Sequence, residues 1–249
     1  MKDSIVQWIN EFFADSGATA VIGISGGKDS TVAAALCVEA LGKERVVGVL
    51  MPQGTQSDID VSYKVCEYLD IRAIEVNIGE VTELLCDAID VNGIELSTVA
   101  LTNTPARVRM TVLYAVAASV DGGGRVVCTC NASETYIGWE TKFGDAVGDF
   151  SPLGNLTVGE VKALGYELGL PAEFVEKVPI DGLPNADGQV KSDEEAIGFT
   201  YSELDGYIRE GVCENEQTKA KIEAMHAASA HKRNPIPKFL PTFTKEATS

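Results

Sequence analysis

Basic residues are scarce in this chain. Its 249 residues include 20 lysines and arginines against 37 aspartates and glutamates, which gives a formal net charge of −17 and a pI near 4.5. Proteins that bind nucleic acid normally carry a basic face, so this balance argues against a nucleic-acid partner. An acidic protein can still bind an anionic small molecule where cations are gathered locally, so the basic residues beside the motifs are informative.

Long hydrophobic runs are also missing. The most apolar stretches, such as residues 112–120, are too short or too interrupted to cross a bilayer, and no basic-then-apolar leader opens the chain. We therefore expect no membrane partner and a cytoplasmic location. With 45% apolar residues, the composition is typical of a soluble protein that buries a sizeable core.

Cysteine occurs at six positions, but never with the two-residue gap of zinc knuckles and redox motifs. Cys128 and Cys130 are the closest pair, separated by a single residue. Several of the six lie within apolar helix or strand patterns, so we predict buried, reduced thiols. For the close pair, packing within a strand is favoured over a metal or disulfide role.

Strand-like β-branched runs alternate with helical patterns through the first half of the chain. This alternation predicts an α/β fold with a parallel sheet and helices on both faces. Later helical patterns predict a helical C-terminal extension, and a single domain over residues 1–249 is favoured, although length alone permits two. Turn-rich residues 180–192 are predicted to form a mobile lid. The predicted strands are 19–24, 45–51, 71–76 and 125–130, and the longest predicted helix is 104–120.

The string SGGKDS at residues 25–30 follows the first predicted strand and precedes a helix. A strand, a glycine-rich turn and a helix start hold phosphate on backbone N–H groups. A Walker A loop needs four residues between its glycines, whereas Gly23 and Gly27 enclose three, and Asp29 stands where the hydroxyl should be. A carboxylate beside a phosphate site requires a cation between them, so Asp29 is predicted to be a magnesium ligand. The alternative is a glycine-rich turn with capping side chains and no ligand.

A second carboxylate is predicted beside the first. Glu134 follows the fourth predicted strand at its carboxyl end, where ligands bind in open parallel sheets. It can therefore face Asp29 across the same magnesium ion. Taken alone, a glutamate in a loop is more often a plain surface residue.

Three groups of cations are candidates for binding a second anionic substrate. Arg107 and Arg109 stand two residues apart and cannot closely share one helical face, so at least one is free for another role. Lys142 lies in a glycine-rich stretch and suits a phosphate or a developing negative charge. His231 and Lys232 end the last long predicted helix, where the helix dipole also favours cations. For each group the alternative is a solvated surface side chain.

Together these strings resemble the ammonia-dependent NAD synthetases of the ATP pyrophosphatase superfamily, over nearly the whole chain. The SGGKDS loop is common to that superfamily, whereas the arginine pair, the string TKFGD at residues 141–145 and the terminal His-Lys pair specify the synthetases. The resemblance implies an adenine nucleotide alpha-hydrolase-like, Rossmann-like fold and a homodimer. It also implies that ATP, with magnesium, adenylates the nicotinate carboxylate of deamido-NAD and that ammonia then displaces AMP. No covalent nucleophile is expected.

The resemblance also assigns roles to individual residues. Magnesium ligation is implied for Asp29 and Glu134. ATP contacts are implied for Gly23, Ile24, Ser25, Gly26, Gly27, Lys28, Asp29, Ser30, Thr129 and, with less support, Gln56. Deamido-NAD contacts are implied for Arg107, Lys142, Asp149, His231 and Lys232.

Two positions depart from the family pattern. Val158 stands where a lysine assigned to ATP is common, and Ile180 replaces a hydroxyl residue in the predicted lid, so neither side chain can donate a hydrogen bond. Two alternative functions stay open: another amidating ligase of the superfamily, similar to GMP synthetase, and an inactive nucleotide-binding sensor, which these two substitutions would permit. The length leaves no room for a fused glutaminase, so we expect free ammonia or a separate subunit to supply the nitrogen.

Overall fold

The computed structural model describes residues 1–56, 59–177 and 192–241. Its strands are β1 (Thr19–Gly23), β2 (Val46–Leu50), β3 (Arg72–Glu75) and β4 (Gly124–Val126), all parallel. They form one sheet in the order β3-β2-β1-β4. The order reverses between β1 and β4, and ligands of open parallel sheets bind outside the carboxyl ends of the strands at such a point. The predicted α/β fold is confirmed.

Helices cover the sheet and continue beyond it, and none in the described ranges is long and apolar enough to cross a membrane. The helices are α1 (Lys2–Phe12), α2 (Lys28–Leu41), α3 (Ile59–Tyr68), α4 (Gly79–Asp90), α5 (Thr98–Ser119), α6 (Ala132–Ile137), α7 (Val158–Glu167), α8 (Ala172–Val175), α9 (Asp193–Ile197), α10 (Tyr201–Glu210), α11 (Glu216–Ala228) and α12 (Ala230–Arg233).

Two apolar clusters lie against the two faces of the sheet. Ile22 in β1 packs with α1, α2 and α7, while its neighbour Val21 faces α5 on the opposite side. This alternation follows from the two-residue period of a strand, and burial of both faces explains why β1 and β2 are almost wholly apolar. Gly48 in β2 has no room for a side chain, because a Cβ there would lie 2.8 Å from the Sγ atom of Cys66.

The C-terminal helices build a third apolar cluster, which confirms the predicted helical extension. Ile137 from α6 and Val158 from α7 pack there with Leu204 and Ile222 from α10 and α11. Val158 is only 5% exposed. The residue that departs from the family pattern therefore serves here to join α7 to the helical extension.

Two predicted boundaries were wrong. Helix α5 begins at Thr98, six residues before the predicted start, because the Ser97 hydroxyl accepts a hydrogen bond from the backbone N–H of Ala100 and caps the helix there. Pro105, the second residue of the predicted range, lies inside the helix. Strand β4 ends at Val126 rather than residue 130, since Val127 pairs with Phe150 in an isolated bridge and the chain then turns towards α6.

Candidate active site

The predicted phosphate loop connects β1 to α2 in the expected way. Gly27 is the N-cap of α2, and Gly26 takes a left-handed conformation with φ of 74°. The Ser30 hydroxyl donates to the Gly27 carbonyl at 3.1 Å, and Ser25 accepts from the Gly27 N–H at 3.3 Å. These bonds fix a turn at the start of a 14-residue helix, where backbone N–H groups and the helix dipole favour an anion.

Asn131 joins the two carboxylates predicted to bind magnesium. Its side-chain Nδ2 donates to Asp29 Oδ1 at 3.0 Å, and its backbone N–H donates to Glu134 Oε2 at 3.5 Å. Asn131 is also the N-cap of α6, and its Oδ1 accepts from the Glu134 N–H. This asparagine was not among the residues predicted from the sequence, although the spacing Asn131 to Glu134 is that of a capping box.

The environment of the two carboxylates suits a divalent cation. Burial of the Glu134 carboxyl group, and then the charge of Asp29, raise its pKa well above the usual value. The described residues contain no group of three or more His, Cys, Asp or Glu side chains placed to hold a metal. Magnesium is commonly held by one or two carboxylates, with phosphate oxygens and water completing its shell, so this pair fits the ion when ATP is present.

Lys28 lies within this acidic site. Its side chain is 1% exposed, and its Nζ atom donates to Asp29 Oδ2 at 2.8 Å. Burial lowers the pKa of Lys28, but the charges of Asp29 and Glu134 outweigh burial, so the pKa lies above its usual value. Lys28 was predicted only as one of the ATP contacts. The structure adds that its ammonium group is the counterion of the carboxylates.

Helices α9 and α10 cover one side of the Lys28 side chain. The Tyr201 ring lies 5.8 Å from the Lys28 ammonium, and its hydroxyl donates to Asp193 Oδ2 at 3.2 Å. Asp193 and Tyr201 are 7% and 5% exposed. Neither residue was assigned a role from the sequence. The lid itself lies almost wholly outside the described residues, and so does Ile180.

Four of the five residues predicted to contact deamido-NAD lie together. Arg107 donates from Nε to the Lys142 carbonyl at 3.4 Å, and the Lys142 ammonium donates to the His231 carbonyl. Lys232 donates to the carbonyls of Gly138, at 2.7 Å, and of Glu140. Three distant segments of the chain thus meet in one group of cations.

Helix α6 links this group to the carboxylates. Asn131 and Glu134 lie at its start, and Gly138, the acceptor for Lys232, is its C-cap. Gly138 has φ of 70°, and a Cβ there would lie 2.1 Å from the Cβ of Ser229. A six-residue helix is about 9 Å long, so the two groups lie within the span of one extended dinucleotide substrate.

The remaining predicted residues have different surroundings. The Asp149 carboxylate accepts from the Val126 N–H at 2.7 Å, and within the described part of the chain no hydrogen bond joins it to the cations. Arg109 donates to the Met51 carbonyl at 3.1 Å, so it supports the end of β2 while Arg107 faces Lys142. Thr129 follows β4 towards the carboxyl end of the sheet, and Gln56 lies in the loop after β2.

This chain is similar to known synthetases in both sequence and structure. The family model of NAD synthase matches residues 1–240. An NH(3)-dependent NAD(+) synthetase of Methanocaldococcus jannaschii is 38% identical over 214 residues, which cover 83% of this chain and 79% of that protein. The structure of an NMN synthetase from Francisella tularensis superposes with a TM-score of 0.84 and 31% identity, covering 97% of both chains. An NH3-dependent NAD synthetase from Campylobacter jejuni superposes with a TM-score of 0.74 and 26% identity, covering 96% of this chain and 97% of that one. These matches confirm the resemblance drawn from the motifs, and the chain belongs to the NAD synthase family.

Proposed function

We propose that this protein is an ammonia-dependent NAD synthetase. It adenylates the nicotinate carboxylate of deamido-NAD with ATP, releasing pyrophosphate, and ammonia then displaces AMP to give NAD. The observation that carries the proposal is the connection of the phosphate loop to the cation group through Asn131 and α6. This connection favours a ligase over a nucleotide sensor, because a sensor needs no second anion site beside its nucleotide.

The chain's own groups would act mainly by alignment and charge. Backbone N–H groups of residues 25–28 would hold the ATP phosphates. The Lys28 ammonium, which pairs with Asp29 in the structure, would then donate to a phosphate oxygen in place of Asp29. The attacking oxygen belongs to the substrate, so no protein nucleophile is required. Positioning and neutralisation of charge account for most of the rate in phosphoryl-transfer chemistry of this kind.

Magnesium is proposed to bind between Asp29 and Glu134. When bound, it would neutralise charge on the ATP phosphates and on the departing pyrophosphate. The shared partner Asn131 and the raised pKa of Glu134 support this position, since two enclosed carboxylates are stabilised by a cation between them.

The cation group is proposed to bind deamido-NAD. In the structure Lys142 and Lys232 donate to backbone carbonyls, so their ammonium groups are already held in place and can transfer bonds to a ligand. Arg107 and His231 border the same place. The assignment of Asp149 to this substrate, and of Gln56 and Thr129 to ATP, stays a prediction from the resemblance.

A homodimer is proposed through helices α4 and α5. Leu84 and Leu85 on α4, and Val99 and Leu101 on α5, are all at least 45% exposed. Several large apolar side chains exposed on two neighbouring helices indicate a protein interface. Sedimentation of the protein as a dimer, and of Leu84→Glu as a monomer, would support this interface. A wild-type monomer at micromolar concentration would contradict it.

The organisation and location of the chain remain proposals from the sequence. We propose one catalytic domain over residues 1–249, supported by the helical extension that contacts α6 and α7. A cytoplasmic location and free ammonia as the nitrogen source are also proposed from the sequence.

A second candidate substrate is nicotinate mononucleotide. The similarity to the NMN synthetase of Francisella tularensis favours it, because that chain is matched over 97% of its length. Amidation of the mononucleotide uses the same adenylation step on the same carboxylate, so the two candidates differ only in the AMP half of the acceptor.

The test offers the protein ATP, magnesium chloride and ammonium chloride with one acceptor at a time. The acceptors are deamido-NAD, nicotinate mononucleotide and xanthosine monophosphate. Formation of NAD, AMP and pyrophosphate with deamido-NAD supports the proposal, whereas amidation of the mononucleotide alone supports the second candidate. Turnover with xanthosine monophosphate alone, or with no acceptor at all, would overturn both.

A further inference from the structure

Two thiols flank the predicted ATP contact Thr129. Cys128 and Cys130 follow β4 directly, and both Sγ atoms face the carbonyl oxygen of Asp145, at 3.9 and 3.4 Å. The two thiols are also close enough to shift each other's pKa. The described structure therefore brings the pair together at one carbonyl oxygen, which spacing in the sequence alone had not favoured.

The pair opens into a cavity. Cys128 and Cys130 line a space of about 220 Å³ together with Glu140, Ser151, Lys232 and Arg233. Cys128 is partly exposed and Cys130 is 7% exposed, so a small reagent reaches Cys128 first. Lys232 and Arg233 favour an anion in this space, and Glu140 opposes it. Small oxidants and alkylating reagents can enter a space of this size.

The chemistry of the two thiols differs. The hydrogen bond from Cys130 lowers the pKa of Cys128 to about 7, against the opposing effect of burial. The same bond raises the pKa of Cys130. The buried Cys37 has its pKa raised to about 12 by burial alone. A partly exposed thiolate beside a protonated partner is the arrangement of redox-sensitive cysteines.

We propose that Cys128 and Cys130 form a reversible thiol-oxidation site that inactivates the nucleotide loop. The oxidant is hydrogen peroxide. The Cys128 thiolate attacks one peroxide oxygen, the O–O bond breaks, and a sulfenic acid and hydroxide are formed. The Cys130 sulfur then attacks the Cys128 sulfur, a disulfide forms, and water leaves with the thiol proton.

Closing this disulfide must move Thr129. In an extended segment, Cα atoms two residues apart are separated by about 6.6 Å, near the upper limit of about 6.8 Å for a disulfide. The Cys128 end is fixed, because its N–H donates to the Phe150 carbonyl at 2.9 Å and a Cβ at Gly148 would lie 2.5 Å from its backbone nitrogen. Strain is therefore passed through Thr129 to the Cys130 end, which directly precedes Asn131.

Asn131 carries the effect into the active site, since its side chain holds Asp29. Displacement of reacting groups by about 1 Å can cost about 100-fold in rate. We expect the disulfide to reduce ligase activity by at least about tenfold, and dithiothreitol to restore it. This consequence rests on the proposed function, whereas the thiol chemistry does not.

The first test measures the thiols directly. Full-length protein is treated with limiting iodoacetamide at pH 7, and the modified cysteines are mapped by mass spectrometry. We expect Cys128 to be modified about tenfold faster than Cys213, which is also partly exposed and provides the matched comparison. Modification of Cys128 no faster than Cys213 would overturn the proposal.

The second test uses hydrogen peroxide on wild type, Cys130→Ser and Cys213→Ser. Wild type and Cys213→Ser should yield one peptide containing a Cys128–Cys130 disulfide, lighter by two hydrogens. Cys130→Ser should stop at a Cys128 sulfenic acid that dimedone traps. Absence of the disulfide from wild type, or a metal ion found bound by the pair, would overturn the proposal. If the disulfide forms in a protein without ligase activity, only the proposed function fails.

Discussion

Replacement of Lys28 by methionine tests the electrostatics of the proposed active site. Methionine fills similar space but leaves Asp29 and Glu134 without their counterion. The ion pair to Asp29 spans 2.8 Å, which corresponds to about 6 kcal/mol of Coulomb energy at an effective dielectric constant of about 20. Desolvation of the ammonium offsets part of this, and loss of one partner from a buried pair costs about 3–5 kcal/mol.

The expected loss for Lys28→Met is at or just below the lower bound of that range. The Asp29 side chain is 19% exposed, so water partly screens the charge that is left behind. We therefore expect the free energy of unfolding without magnesium to fall by about 2–3 kcal/mol. Lys43→Met is the matched control, because Lys43 pairs with Asp70 at the exposed surface and its removal should change stability little.

Magnesium should distinguish electrostatics from packing. In Lys28→Met the carboxylates have no competing ammonium, so the ion should stabilise the variant more than wild type. An ion at about 100 times its dissociation constant adds about 2.7 kcal/mol, enough to restore most of the loss. Urea unfolding with and without magnesium chloride measures both quantities. An unchanged stability in Lys28→Met, or equal stabilisation of both proteins by magnesium, would refute this account of the site.

Three further variants test neighbouring parts of the site. Glu134→Gln removes a carboxylate whose pKa is raised by burial, so the melting temperature without magnesium should rise. Magnesium binding measured by calorimetry should be lost. A lower melting temperature would contradict this. Gly138→Ala should lower the free energy of unfolding by about 2 kcal/mol or more, because its Cβ would meet Ser229 in a left-handed backbone, and an unfolding curve equal to wild type would count against it. Arg107→Gln should raise the KM for deamido-NAD but not for ATP, and equal changes in both would argue against its assignment.

The sheet and the phosphate loop could be predicted because their signals are local. Apolar runs of β-branched residues mark β1 and β2, and SGGKDS follows β1 within one short segment. Helix α5 was harder, because Pro105 indicates a helix start and only the hydrogen bond to Ser97 shows that the helix begins earlier. A helix with internal proline is uncommon enough that the wrong start was the reasonable prediction.

The site was predicted less completely because its contacts join distant segments. Asn131 and Asp29 are 102 positions apart, and Lys142 and His231 are 89 apart. A resemblance can assign such residues to the same ligand, but it cannot reveal that the Lys28 ammonium is buried against the Tyr201 ring. The proximity of Cys128 and Cys130 likewise depends on the turn after β4. The longer predicted strand did not include this turn.

Transfer of a labelled oxygen tests the central claim most directly. Deamido-NAD labelled with oxygen-18 in its nicotinate carboxylate is converted in the presence of ATP, magnesium and ammonia, and the products are examined by mass spectrometry. If the carboxylate attacks the α-phosphorus, one labelled oxygen must appear in AMP. Label in pyrophosphate or inorganic phosphate, with unlabelled AMP, would contradict adenylation of the carboxylate by this protein.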